Sequence, residues 1–447
     1  MGDVKNIVLP KALALVPISN RKKGTKIRYI WSLMQHVKLL KCSMCGREHS
    51  LSEGLVMCPR RDNGRLDIVY DYESIGENLS RKALEQRRGG LWKYEELLPV
   101  DKKYSSGLSV GDTPLFRAVR LGEKLRATNV IIKDETRGPS ASFKDRSMAV
   151  GVAKAIELGY SAVVTASSGN AAAALAAQSA AAGLQCTAFV IDSASLGKLA
   201  QLIQYGAKVF RVKGLGSEDP TVRMMLLCAE RYGWYPCPSF DAFNPYQVEG
   251  PKTISYEAIE QLGWEIPDWV LVPSGAGCLM AGLWKGFKDF YELGFARSMP
   301  RLVVIQSTGN APIVRAYEQG RRGHNIEPWG CPKTIATGLE DPYPWDGDAA
   351  LDAARETKGT CVAVEDTLIL EAQRLLASKE GVFGEPSGVA GLAGLMRLLD
   401  DGTIDSKDKV LVPITGSGMK DLSMLENEAK AVPAIEPLPG TLERLLG

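Results

Sequence analysis

The sequence predicts an α/β protein built on parallel sheets with helices on both faces. Three observations carry this. Short continuous apolar runs recur along the chain, as in Ala162-Val-Val-Thr165, Trp269-Val-Leu-Val272 and Val410-Leu-Val-Pro-Ile414. Helical stretches separate them, and a Gly-rich or polar turn follows each run, which is the pattern of strands covered on both sides. The chain has 447 residues and is 45% hydrophobic, enough for two or three cores. The expected division is an N-terminal extension over 1–88, a larger α/β domain from 89–148 with 255–425, a smaller α/β domain over 149–254, and a tail over 426–447.

The elements follow in order. The first forty residues are basic and mixed, with no clear period. Cys42-Ser-Met-Cys45-Gly46 then reads as one knuckle of a zinc ribbon, followed by Cys58-Pro59-Arg60-Arg61. Arg61 stands where a C-x2-C pair would place its second thiolate. Tetrahedral zinc takes four N or S donors, so the expectation is a ribbon-like module without metal, His49 being an oddly spaced fourth donor. Farther on, Val130–Asp134 reads as a strand and Ser147–Leu158 as a helix closed by Gly159. Ala162–Thr165 is a strand, and Ala171–Ala182 an Ala-rich helix closed by Gly183. Strand Cys186–Ile191, helix Lys198–Tyr205 and strand Lys208–Val212 come next, then strands at Trp269–Val272, Arg301–Gln306 and Val410–Ile414. Ligands in such folds bind at the carboxyl ends of the strands.

Bulk properties exclude several classes of partner. With 54 basic and 52 acidic residues the net charge is +2, so neither nucleic acid nor an anionic membrane is expected as a partner. No apolar run approaches a membrane span. The basic residues Arg21, Lys22, Lys23 and Lys26 precede no apolar segment with a cleavage site, so no secretory signal is read. The 9 cysteines are odd in number, and those beyond the ribbon are scattered, which fits a reduced, cytoplasmic enzyme.

Four motifs carry chemistry. Ser142-Phe143-Lys144-Asp145-Arg146 sets a lysine beside an aromatic ring that can cover a planar ligand. A lysine becomes a useful nucleophile toward an aldehyde once burial and neighbours tune it. Asp145 and Arg146 are expected to form a structural ion pair. Ser167-Ser168-Gly169-Asn170 opens the Ala-rich helix, where free N–H groups and two hydroxyls suit a carboxylate and the Asn amide suits a ring oxygen. Pro273-Ser274-Gly275-Ala276-Gly277-Cys278 lies between a strand and a helix, where small residues let backbone amides reach a phosphate. Ile414-Thr415-Gly416-Ser417 follows the last strand, and Thr415, with Ser417 next, offers a hydroxyl to a ring nitrogen. A hydroxyl there leaves a pyridine nitrogen largely unprotonated, which favours elimination and replacement chemistry.

Taken with Gly111-Asp-Thr-Pro-Leu115, Asn244-Pro-Tyr246, Glu249-Gly250, Lys252-Thr253 and Glu385-Pro-Ser-Gly388, these motifs resemble the fold-type-II pyridoxal-phosphate enzymes of the tryptophan synthase β-like superfamily, threonine synthases in particular. The resemblance spans roughly residues 88–421. It implies two doubly wound α/β domains, the larger one binding the cofactor, and a homodimer acting on a small amino acid. It implies pyridoxal 5'-phosphate bonded to Lys144, with Phe143, Asn170, Gly275, Ala276, Gly277, Cys278 and Thr415 around it. Ser167 and Ser168 would hold the substrate carboxylate. The implied reaction eliminates phosphate from O-phosphohomoserine and adds water to give threonine. One segment departs from the family. Threonine synthases commonly read Asn-Ser-x-Asn-Pro-Tyr-Arg where this chain reads Asp241-Ala-Phe-Asn-Pro-Tyr-Gln247. A carboxylate, a methyl and a neutral amide replace three phosphate ligands, so Asp241 and Gln247 are expected to face the substrate and weaken its phosphate contact. A serine or threonine dehydratase and a β-replacement synthase are the alternatives. A silent binding homologue is disfavoured by the retained Lys144, Asn170 and Thr415.

Overall fold

The computed structural model describes residues 36–435 except 61, 63, 193, 195, 215–218, 421, 423, 424 and 426–428. The basic stretch Arg21–Lys26, Arg61 and the end of the tail lie outside these residues. Among the described residues, no helix is long and apolar enough to cross a membrane.

The described residues open with a three-stranded antiparallel sheet, in which β1 (Val37–Cys42) pairs with β2 (Glu48–His49) and β3 (Leu66–Tyr70). Two short helices, α1 (Tyr72–Asn78) and α2 (Arg81–Gln86), lead away from it, each started by a side-chain cap, Asp71 on Ser74 N and Ser80 on Ala83 N. The α/β body then opens with β4 (Leu115–Arg117), α3 (Val119–Leu125), β5 (Asn129–Asp134) and α4 (Lys144–Glu157).

The next segment builds a sheet of its own. It runs through β6 (Ala162–Ala166), α5 (Asn170–Ala182), β7 (Gln185–Ile191), α6 (Leu196–Gln204), β8 (Lys208–Val212), α7 (Pro220–Tyr232) and β9 (Tyr235–Pro236). Its strand order is β8-β7-β6-β9, all parallel. The strand β6 is buried at every position, so it shows no alternation, as a central parallel strand should not.

The chain then returns to the first body through α8 (Thr253–Gln261), β10 (Trp269–Pro273), α9 (Cys278–Glu292), β11 (Arg301–Ser307) and α10 (Pro312–Glu318). It finishes with α11 (Gly347–Glu356), β12 (Thr360–Val364), α12 (Asp366–Glu380), α13 (Pro386–Asp400) and β13 (Lys409–Ile414). The six strands lie in the order β12-β11-β10-β13-β5-β4, parallel except for the edge strand β4. The order reverses direction at β10, β13 and β5, and the turns after these three strands are the ones that carry the motifs. A crevice at the carboxyl ends of strands around such a reversal is the place a ligand occupies. The predicted α/β class is the observed one.

Two local expectations change. The helix expected from Ser147 starts at Lys144, so the lysine occupies its first turn. Arg146 does not pair with Asp145. Its guanidinium, 1% exposed, bonds Glu135 at 2.7 Å and Glu257 at 2.7 Å, and Lys133 joins Glu257 at 2.8 Å. Asp145 instead accepts from Ser140 N at 2.9 Å. A helix sends adjacent residues about 100° apart, so neighbours in sequence do not face each other.

Candidate active site

Lys144 reaches the carboxyl end of the large sheet from the start of α4. Its Nζ donates to the carbonyl of Ser239 at 2.8 Å and to Cys278 Sγ at 3.1 Å, and lies 4.9 Å from the Phe143 ring centre. Lys144 is 8% exposed, so this contact between the two sheets' loops is largely out of water. Desolvation pushes the Cys278 thiol up to about 11, the positive Lys144 opposing it.

The motif after β13 is laced directly to the lysine motif. Phe143 N donates to Thr415 O at 2.9 Å, Ser417 N to Ala141 O at 3.0 Å, and Ser142 bridges Gly416. Asn170 joins from the small sheet's side, its Nδ2 donating to Glu385 Oε1 at 2.6 Å, while Glu385 N donates to Gly416 O at 2.9 Å. Glu385 is thus a site residue that sequence reasoning quoted only as part of a motif.

The turn after β10 is shaped for backbone donors. Gly277 has φ 107, and α9 starts there with no side-chain cap on its first N–H groups. Those groups and the helix dipole favour an anion. A Cβ at Gly277 would sit 2.7 Å from Asp346 O, and one at Gly275 2.9 Å from Gly338 O. Both glycines are therefore required by the facing backbone. Asp346 N donates to Ala276 O at 2.9 Å, and Gln306 Nε2 to Ser274 O at 3.1 Å, which fixes the turn. The helix α5 also lacks a side-chain cap, and Ser167 Oγ accepts from Gly169 N at 3.2 Å, next to Ser168. The residues present fit pyridoxal phosphate: a lysine between a ring and a thiol, an uncapped helix start of small residues, an amide and a hydroxyl.

The segment from 238 to 247 is where the structure says most that the sequence did not. Gln247 is 2% exposed, and its Nε2 donates to Pro238 O and Phe240 O, both at 2.7 Å. It therefore holds the loop that carries the Lys144 acceptor, while its buried Oε1 has no partner among the described residues. Ala242 packs in an apolar cluster with Phe240 and Phe243. Asp241 is 1% exposed, its Oδ2 has no partner, and its N–H donates to both carboxyl oxygens of Asp346 at 3.2 Å. Burial and the neighbouring Asp346 push the Asp241 carboxyl well above its usual range, against Arg65 and Lys144. Asp346 is likewise pushed up to about 7, chiefly by burial. An open depression of about 430 Å³ lined by Ile191, Asp192, Val212, Gly214 and Pro220 lies beyond β7 and β8 and includes none of these groups.

The description "pyridoxal-phosphate dependent enzyme" fits residues 107–416 of the chain, which belongs to that family. Within it, the chain belongs with the threonine synthases. It is 39% identical to the threonine synthase of Methanocaldococcus jannaschii over 410 residues, 91% of this chain and 99% of that one. It is 38% identical to the Methanosarcina acetivorans enzyme, over 86% of this chain and 92% of that one. Solved structures with the same fold include maize serine racemase, with TM-score 0.60 and 23% identity, covering 75% of this chain and 94% of that one. A second is threonine deaminase isoform 2 of Solanum lycopersicum, with TM-score 0.59 and 21% identity, covering 72% and 83%.

Proposed function

We propose that this protein is a threonine synthase, releasing phosphate from O-phosphohomoserine and adding water to form threonine. The observation that supports it most is that Cys278 after β10 meets Lys144, Thr415 after β13 meets its neighbour Phe143, and Asn170 after β6 joins them through Glu385, in a chain 39% identical to a threonine synthase. Pyridoxal phosphate, when bound, draws electrons from the substrate's α-carbon and so loosens the protons and leaving group beside it. Lys144 Nζ moves the protons at the substrate's α- and β-carbons. Ser167, Ser168 and the start of α5 hold the α-carboxylate. Gly275, Ala276, Gly277 and Cys278 present backbone donors to the cofactor's phosphate, and Asn170 and Thr415 fix the two edges of its ring. Phe143, beside Lys144, covers a ring face and excludes water. A homodimer in the cytoplasm belongs to the same reading.

The Asp241–Asp346 pair decides between this reading and its alternative. A neutral Asp241 carboxyl donates a hydrogen bond much as an amide does, and so accepts a phosphate neighbour. An ionised one repels phosphate and would leave a hydroxyamino-acid dehydratase. The test is incubation of the loaded enzyme with O-phosphohomoserine, threonine and serine in turn. Phosphate and threonine should appear in equal amounts from the first. Keto acid from threonine or serine with no phosphate turnover would overturn the reading.

A further inference from the structure

We propose that Cys42, Cys45, Cys58 and Asp62 form a tetrahedral site for one zinc ion, with the Asp62 carboxylate as the fourth ligand. The three thiols and the carboxylate offer ligand atoms that all lie within 4.8 Å of one another. Cys45 Sγ and Cys58 Sγ are 3.7 Å apart. Asp62 Oδ2 lies 3.7 Å from Cys42 Sγ and 3.8 Å from Cys58 Sγ. Tetrahedral zinc with Zn–S of about 2.3 Å and Zn–O of about 2.0 Å demands S···S edges of about 3.8 Å and S···O edges of about 3.5 Å. These three edges lie within about 0.3 Å of those values, and the remaining ones are no longer than 4.8 Å.

The surrounding backbone is built for such a site. Cys42 and Cys45 sit on a knuckle turned by Gly46 at φ 70, with Gly46 N donating to Cys42 O at 2.9 Å. Cys45 N points at Cys42 Sγ at 3.5 Å, and Gly64 N donates to Asp62 Oδ1 at 3.0 Å. These are the outer contacts that orient first-shell ligands. A Cβ at Gly64 would meet Cys42 Sγ at 2.5 Å, so only glycine lets the strand approach this closely. His49 stands outside this cluster, whose mutually close ligand atoms come from Cys42, Cys45, Cys58 and Asp62. The expectation of a metal-free module rested on a missing fourth donor in the C-x2-C frame. Asp62 supplies one, a residue later in the chain than that frame places it.

The site also bears on the catalytic body. Ser43 Oγ, inside the knuckle, meets His324 Nε2 at 3.1 Å, and His324 meets Asp348 at 3.2 Å. Arg65, three residues after Asp62, bonds Asp348 at 2.7 Å. A filled site would hold these contacts beside Asp346.

The test uses the full-length protein, desalted after incubation with zinc chloride and measured by elemental analysis. One equivalent of zinc per chain is expected. Asp62→Ala should weaken zinc affinity, measured by competition with a chelating dye, by more than about 10-fold, because even outer-shell changes cost about 10- to 100-fold. Asp62→Cys should keep one equivalent, and His49→Ala should leave affinity unchanged. Cobalt substitution should give the absorption of a thiolate-rich tetrahedral site. Stoichiometry far below one in the wild-type protein would overturn the proposal. So would equal affinity in Asp62→Ala, or loss of zinc in His49→Ala. If Asp62→Ala fails to fold, the wild-type stoichiometry, the cobalt spectrum and Asp62→Cys still decide.

Discussion

Replacing Asp241 by Asn should stabilise the protein at alkaline pH and leave it little changed at acid pH. Asp241 and Asp346 are 1% and 0% exposed, and the cations that oppose their raised values most are Arg65 and Lys144. Arg65 is itself shared with Asp67 and Asp348. A carboxyl whose folded pKa is raised keeps its proton in the native state after the unfolded chain has lost it. Native protein then binds more protons, and stability falls as pH rises from the unfolded value toward the folded one. For Asp346, pushed from 3.8 up to about 7, this window covers about three pH units. At about 1.4 kcal/mol per unit the cost by pH 8 is about 4 kcal/mol. Asparagine keeps the shape of Asp241 and removes the neighbour's repulsion, so about 1–3 kcal/mol of that cost should be recovered. The assay is urea unfolding of wild type and Asp241→Asn at pH 4 and pH 8. The same variant should flatten the pH dependence of KM for O-phosphohomoserine, which in wild type should rise by about 10- to 100-fold as the pair ionises. Equal destabilisation by Asp241→Asn at both pH values would refute the buried acid pair, as would a wild-type KM indifferent to pH.

Lys144→Ala should abolish the adduct that borohydride fixes between protein and cofactor, and peptide mapping should find it at no other lysine. An adduct at Lys252 would contradict the site, and the structure argues against it, since Lys252 is buried between Glu249 at 2.5 Å and Asp289 at 3.0 Å. Gly277→Val should weaken cofactor binding by at least about tenfold in a fluorescence titration, because its φ of 107 is strained for any side chain and its Cβ meets Asp346 O. Glu257→Gln should destabilise the fold by about 3–5 kcal/mol in urea unfolding, because Arg146 and Lys133 would keep only Glu135 as a full counter-charge. Burial alone would raise the Glu257 carboxyl, yet Arg146 and Lys133 outweigh it and hold the group well below its usual range, so that contribution should be lost only as pH falls below about 4.

Most inner strands were legible because they are continuous apolar runs, and β8 runs over the residues expected of it, Lys208–Val212, whereas β4, β9 and β12 were not read. The start of α4 was read three residues late because Lys144, Asp145 and Arg146 look like a polar turn, although all three are buried. Local sequence carries no sign of a charge cage assembled from Glu135 and Glu257, 122 positions apart. The Lys144, Asn170, Gly277 and Thr415 motifs were legible because each follows a strand in a fold that gathers strand ends. Asp346 was not, since it lies 105 positions from Asp241 and in a turn without a motif. Gln306, which holds the Gly275 turn, and Ser239, which accepts from Lys144 through its backbone, likewise leave no mark in the residue order.

The family's phosphate segment shows why residue type alone misleads in a buried site. Read as chemistry, an Asp in place of Asn trades a donor for a negative charge. In water that holds, but at 1% exposure the charge must be matched or neutralised, and the nearest carboxyl makes matching harder. Burial and Asp346 thus favour the protonated form, in which Asp241 is a donor again. The Gln in place of Arg removes a cation, yet the Gln247 amide is committed to two carbonyls of the loop that positions Lys144. The two changes are thus coupled. A cation at 247 would favour an ionised Asp241, whereas the neutral amide brings no charge to offset the raised pKa values of the acid pair. The same segment can then keep its affinity for a phosphorylated amino acid while acquiring a dependence on pH that an Asn and Arg pair would not show.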